Sequence, residues 1–300
     1  MSIIDKSGQH VGDNSSAIQV AGNATIGNST TEVMEICRLV VMERFSALRE
    51  DAMNVAIQRA QEFAVKITER LNSELDDRIE KKLKDPDLQF AIGEATTIVA
   101  KKGDKTKSEL LQEIIISKIH NENEETDLLL DQALEITKRL TTSEIKLLAI
   151  IFYFRKIIEC IEGKSIYAIV EDYSNNIIHP TVTLETCYFV YKRRFELANP
   201  FLNRIINELS SIYPVNKDHL ELKGCLCNGK SYSENSQHII SKYSGLTIES
   251  DEQFSTHFPY FKKIIDAFGF HSLSELDEVV PNELGTIIAQ NFINAQGGLN

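Results

Sequence analysis

Between Thr31 and Leu83 the chain contains neither Gly nor Pro, and its apolar residues recur at steps of three and four. Val41, Phe45, Leu48, Ala52 and Val55 form one stripe, and Ala56, Ala60, Phe63, Ile67, Leu71 and Leu75 continue it after a slip in register near Ala56. That spacing predicts one amphipathic helix with a stutter. Ser29, Thr30 or Thr31 offers its N-cap, with Glu32 or Glu35 near the positive end of the helix dipole. At 1.5 Å per residue such a helix is a rod of about 80 Å. A stripe of that length is covered either by the rest of the chain folding back on it or by a second copy of itself.

Further along, Pro86 in "KDPDL" and Gly103 in "KKGDKT" break the pattern, and helices are expected at Ser108–Ile119, Thr126–Leu140 and Thr142–Cys160. The last opens on "TTSE", a capping box built on Thr141 or Thr142 with a following acid. Its apolar run, Ile145 to Ile161, is interrupted by Arg155 and Lys156 and falls short of the roughly 20 residues that span a bilayer, so it reads as a buried core helix. Loops gather around Gly163, Pro180 and Pro200. Beyond them, "NRIINELSSIYPV" reads as a helix, "HLELKGCLCNGKSY" as a small hairpin within residues 219 to 233, and "ELGTIIAQNFI" as a closing helix. The expected fold class is mainly α: a long N-terminal helix and a helical bundle, with a short β segment at the N-terminus and a minor hairpin in the C-terminal half. The expected divisions are a β-forming segment over 1–30, the long helix over 31–84, a helical core over 85–200 and a mainly helical, winged-helix-like subdomain over 201–300.

The β expectation rests on "GDNSSAIQVAGNATIGN", Gly12 to Asn28, which holds no Lys, Arg, Glu or aromatic residue. Ile18, Val20, Thr25 and Ile26 are β-branched and stand among Gln19, Asn23 and Asn28, with Gly22 and Gly27 free to turn. Identical segments stacked in register form Gln and Asn ladders, as in cross-β structure or a narrow β-solenoid. "GQHVGDN" (8–14) is echoed by "GNATIGN" (22–28), so one chain could supply two rungs. The candidate oligomerisation residues are Ile18, Gln19, Val20, Gly22, Asn23, Ile26, Gly27 and Asn28. A disordered tail and a strand added to the protein's own body are the rival readings.

Charge and cysteine usage narrow the partners. A formal net charge of −12 disfavours phosphate backbones and anionic lipid surfaces, which attract clustered Lys and Arg. Five scattered cysteines and no basic-then-apolar leader point to free thiols in the cytoplasm. The seven His residues are dispersed, and Cys225 and Cys227 stand closer together than paired zinc ligands do, so no metal and no cofactor is expected. One motif does match: "GCLCNGKS" places Gly224 five residues before Gly229, followed by Lys230 and Ser231. In a phosphate loop Lys230 contacts the phosphates and Ser231 the metal, between a strand and a helix. "HLELK" could be that strand, but "SYSENSQH" is a poor helix start. NTP binding through these four residues is therefore one alternative function, and a nucleic-acid sensor with "YKRRF" (191–195) as its compact basic cluster is another.

The N-terminal stretch resembles the amyloid-type signalling motifs of the RHIM and HET-s class through Ile18, Gln19, Val20, Gly22 and Asn23, departing from the RHIM tetrad by the inserted Ala21. "SELLQEIIISKI", "LLLDQALEITKRLTTSEIKLLAIIFYF" and the closing "ELGTIIAQNF" are similar to bacterial abortive-infection proteins of the helical Abi-alpha type. The two resemblances imply a non-enzymatic, self-assembling component of anti-phage defence. Its partners would be further copies of itself and a protein with a matching N-terminal motif.

Overall fold

A computed structural model of the chain describes residues 28–45, 49–72, 77–163, 200–227, 236–237, 241 and 247–297. The N-terminal oligomerisation segment, up to Gly27, lies outside them, as do Gly229, Lys230 and Ser231. The described residues form thirteen helices. The first seven are α1 (Asn28–Arg44), α2 (Glu50–Asn72), α3 (Asp77–Leu83), α4 (Pro86–Lys102), α5 (Lys105–His120), α6 (Glu124–Thr137) and α7 (Thr142–Gly163). After residue 200 come α8 (Pro200–Asn207), a 3-10 turn (Leu209–Ser211) and α9 (Lys217–Leu222). The last four are α10 (Asp251–His257), α11 (Pro259–Ala267), α12 (Leu273–Asp277) and α13 (Glu283–Ala295). The β pairing found among the described residues is an isolated antiparallel bridge between Leu226 and Pro281.

Local chemistry sets the helix limits. Asp85 caps α4, accepting a hydrogen bond from the Asp87 amide at 3.1 Å, and Pro86 fills the first helical position, where no N–H is needed. Gly103 ends the same helix in the left-handed region at φ 61°, its amide donating to the Val99 carbonyl at 2.9 Å. At the start of α7 the capping box forms on Thr141: the Glu144 amide donates to Thr141 Oγ1 at 3.1 Å, and the Thr141 amide donates to Glu144 Oε2 at 2.6 Å.

The expected 80 Å rod does not form. Residues 31–84 instead make α1, α2 and α3, and α1 and α2 pack on each other and on α4. The pair is antiparallel: Thr31 and Met34 lie beside Val65 and Thr68, while Phe45 lies beside Ala52, Ala56 and Arg59. Val33 and Cys37 of α1 join Phe63, Ala64 and Ile67 of α2 in the main core, and Val41, Phe45, Ala56, Ala60 and Ala100 close the other end of the hairpin. The rest of the chain thus covers much of the stripe, which was one of its two expected fates, while Ala52 and Val55 stay exposed.

The expected hairpin at 219–233 is also replaced where it is described. Lys217–Leu222 is helix α9, capped by Asn216, and Leu226 pairs with Pro281 instead of with a neighbouring strand. Helix propensity explains the difference. "KDHLEL" has a single buried apolar residue, Leu220, so it has no alternating stripe to bury as a strand.

The main core runs without interruption from Val33 to Ile293. Its centre is α13, which packs against α7, α5 and α6. In α7, Ile145 to Phe154 are all at least nine-tenths buried, so the most apolar run of the chain is covered by protein. Among the described residues no helix is long and apolar enough to cross a membrane.

Candidate functional site

The largest cavity among those described is an open cleft of about 1000 Å³ between the starts of α5 and α7, the α6–α7 turn, α8 and the segment after the 3-10 turn. Its walls hold seven cationic side chains and three carboxylates, on a chain whose net charge is −12. Part of the cationic charge is met from just outside the lining, where Glu94 and Glu135 lie 3.4 and 3.6 Å from Lys138 Nζ and Glu135 lies 3.8 Å from Arg139.

Each wall is fixed by its neighbours. Asp104 caps α5, accepting from the Lys107 amide at 3.1 Å, and its other oxygen accepts from Thr142 Oγ1 at 2.7 Å, which ties the start of α5 to the start of α7. Ser143 Oγ accepts from the Tyr213 amide at 2.9 Å and holds the 212–216 segment against α7. Val215 then donates to the Phe268 carbonyl at 2.9 Å. Behind the cleft, Arg59 donates to the Ala100 carbonyl at 3.2 Å and lies across Gly103, where a Cβ would meet the guanidinium at 2.4 Å.

The three carboxylates already have partners. Asp104 is held as above. Glu144 closes the capping box and receives Lys223 Nζ at 2.5 and 2.7 Å. Glu208 receives Lys146 Nζ at 2.6 Å and Arg204 Nε at 3.3 Å, and Arg204 also meets Glu109 at 2.8 Å. Burial pushes the Glu208 carboxyl up, but the hydrogen bonds and charges of Lys146 and Arg204 outweigh it and hold the group below the usual carboxylate range.

Lys107 is different. It is 5% exposed, yet no carboxylate among the described residues lies within ion-pair distance of its ammonium, whose hydrogen bond to the Lys138 carbonyl is 3.5 Å long. Burial lowers its affinity for a proton, Asp104 and Glu144 oppose that, and the charges of Lys102 and Lys223 reinforce it; the net shift is downward. Lys105 has a 3.9 Å contact with Glu109 and is 72% exposed, a distance and exposure at which an ion pair contributes little. Lys102 has no ion pair among the described residues. The cleft therefore presents cations whose charge its own acids do not balance.

A second charged cluster has the opposite character. Asp87, Asp127 and Asp131 bring carboxylate oxygens within 4.8 Å of one another, a spacing that suits a metal ion. Lys118 Nζ occupies that position, 2.8, 2.7 and 2.9 Å from the three, and its side chain is fully buried. Burial works against the ammonium, but the three hydrogen bonds win and raise it above its ordinary value. The cluster is an internal ion pair that ties α5 to α4 and α6.

Of the residues singled out in the sequence, Gly224 is described and adopts φ 72° in the turn that ends α9. Its carbonyl accepts from Asn282 Nδ2 at 2.8 Å. A helix, not a strand, thus leads into the motif "GCLCNGKS", which removes one of the two elements a phosphate loop needs. Asn28 is the first residue of α1, and the other oligomerisation candidates lie outside the described residues. The cleft itself was not foreseen. Its cations come from Lys102–Lys107, Lys138–Lys146 and Arg204, and only the fold brings these together.

The described residues define a mainly helical protein with an open cleft lined by seven cationic side chains and three carboxylates. A protein-family model matches residues 27–297, about nine-tenths of the chain, and the chain belongs to that family, whose description, ":-like", names no activity. No curated protein and no solved structure matches the chain.

Proposed function

We propose that this chain is a non-enzymatic, self-associating protein of bacterial anti-phage defence. Residues 8–28 pair between copies, and the helical body is the folded unit that this pairing gathers. One observation carries the reading: the family match begins at residue 27 and the first described helix at Asn28, where the Gly/Asn-rich stretch without Lys, Arg or Glu ends. The stretch is thus an addition to the body, with a composition suited to stacking rather than to a packed core. The hairpin that follows it supports the reading, because Leu39 and Met42 lie one turn apart on α1 with about half of their surface exposed.

Assembly by this route is a matter of effective concentration, since one weak pairing segment holds a second chain near enough for the next contact. Removing residues 1–27 and measuring molar mass by light scattering tests it. The full chain is expected to form concentration-dependent assemblies and the shortened one to stay monomeric; equal masses overturn the proposal. Loss of phage resistance in cells carrying the shortened chain is the second expected outcome, and unchanged resistance would detach the segment from defence.

A further inference from the structure

We propose that the basic cleft is a nucleotide site, taking a small nucleotide with two or more phosphates, its phosphates against Lys102, Lys105 and Lys107 and its base against Tyr213. Four observations lead there. Glu144 and Glu208 are each paired with a cation of their own, and among the described residues Lys102 makes no ion pair and Lys105 only a 3.9 Å contact with Glu109, so these three lysines outnumber the one cleft acid, Asp104, that has no cationic partner. Lys107 is 5% exposed and makes no ion pair among the described residues, Asp104 and Glu144 acting on it from beyond ion-pair distance, so a bound anion would supply the close counter-charge its ammonium lacks. At about 1000 Å³ the cleft is far larger than one phosphate group needs and matches the upper range of small-molecule sites. Tyr213, which lines the rim with 71% of its surface exposed, offers an aromatic face on which a base can stack.

The ligand is compact rather than an extended strand. With seven cations in the cleft and a net charge of −12 over the whole chain, the excess of acid lies outside the cleft and disfavours a polyanion that runs beyond it. The proposal uses neither Lys230 nor Ser231 and does not depend on self-association.

Calorimetric titration of the full chain tests the proposal with ATP, inorganic triphosphate, adenosine and a single-stranded oligonucleotide as probes. ATP is expected to bind, triphosphate more weakly, and adenosine not detectably. Lys107→Met, and separately the exposed pair Lys102→Ala with Lys105→Ala, should each weaken ATP binding at least tenfold. Tyr213→Ala should bring ATP down to the affinity of triphosphate while leaving triphosphate unchanged, and Lys230→Ala should change nothing. If Lys107→Met does not fold, the exposed pair still decides. The proposal is overturned if ATP does not bind, if the exposed pair binds ATP as well as the native chain, if the oligonucleotide binds more tightly than ATP, or if triphosphate matches ATP in the native chain.

Discussion

Gly285→Ala is a substitution whose sign separates this packing from simple helix propensity. Gly285 lies in the first turn of α13, its amide donating to the Asn282 cap at 3.0 Å. Replacing a helical Gly by Ala normally stabilises, by roughly 0.5–1 kcal/mol. Here a Cβ would stand 2.1 Å from the Cys225 carbonyl oxygen and 3.1 Å from Pro281 Cβ. Reaching an ordinary contact of 3.4 Å requires the backbone to retreat by about 1.3 Å. That carbonyl accepts from the Asn282 amide at 3.2 Å, and two residues on Cys227 donates to Val280 at 2.7 Å, so the retreat strains the hydrogen bonds that dock the 225–227 segment on α13. Overpacking costs about 1–3 kcal/mol and each weakened hydrogen bond about 1 kcal/mol, which exceeds the propensity gain. The expected net loss is about 2 kcal/mol, a fall of about 3 °C in Tm for a chain of this size. Thermal melting followed by circular dichroism at 222 nm reads it. Gly93→Ala in α4 is the control: its Cβ would stand 3.2 Å from the movable Val40 Cγ2, and the expected change is under about 1 kcal/mol. A Gly285→Ala protein as stable as the native one, or more stable, would refute the docking of α13 described above.

Three other outcomes follow from the buried charges and thiols. Lys118→Met should destabilise by about 3 kcal/mol, the lower end for a broken buried pair because Asp87 and Asp131 are more than a third exposed; added Ca²⁺ should raise the Tm of this variant and not of the native chain. Glu208 is held below the usual carboxylate range, so its contribution is present above about pH 4.3 and is lost as the pH falls through its folded-state value; Glu208→Gln should flatten the acid limb of a stability–pH curve. Burial pushes the Cys37 and Cys225 thiols up to about 11, with Thr96 opposing at Cys37 and Glu144 adding at Cys225. Iodoacetamide at pH 7.5 should therefore label both only after denaturation, as read by peptide mass mapping.

What the sequence revealed was local. The Pro86 start, the Gly103 stop, the Thr141 capping box and the closing helix could all be read because each depends on residues within a turn of one another. The α1–α2 hairpin could not. Phe45, just past the end of α1, and Ala56 of α2 stand on either side of the turn, but they are eleven residues apart, close to three full turns, so the apolar stripe reads through the break with only a small slip. No Gly or Pro marks the turn. The hairpin expected near residue 224 failed for a related reason, since its bridge partner, Pro281, lies more than fifty residues away. The cleft was hidden by composition: a net charge of −12 argued against an anion site, while the fold collects lysines from segments far apart in the chain. The Lys118 cluster was half visible, because Asp127 and Asp131 are one turn apart on α6, whereas Asp87 reaches it from α4.

Self-association through the N-terminal segment is tested most directly in the intact chain, by placing charge where identical side chains would stack. Ile18→Lys with Val20→Lys puts like charges about 4.8 Å apart in every pair of stacked copies and leaves the helical body untouched. Light scattering across a concentration series should show the native chain assembling and the doubly substituted chain remaining near the 33.9 kDa of one copy. Assemblies of the same mass in both proteins would contradict the account.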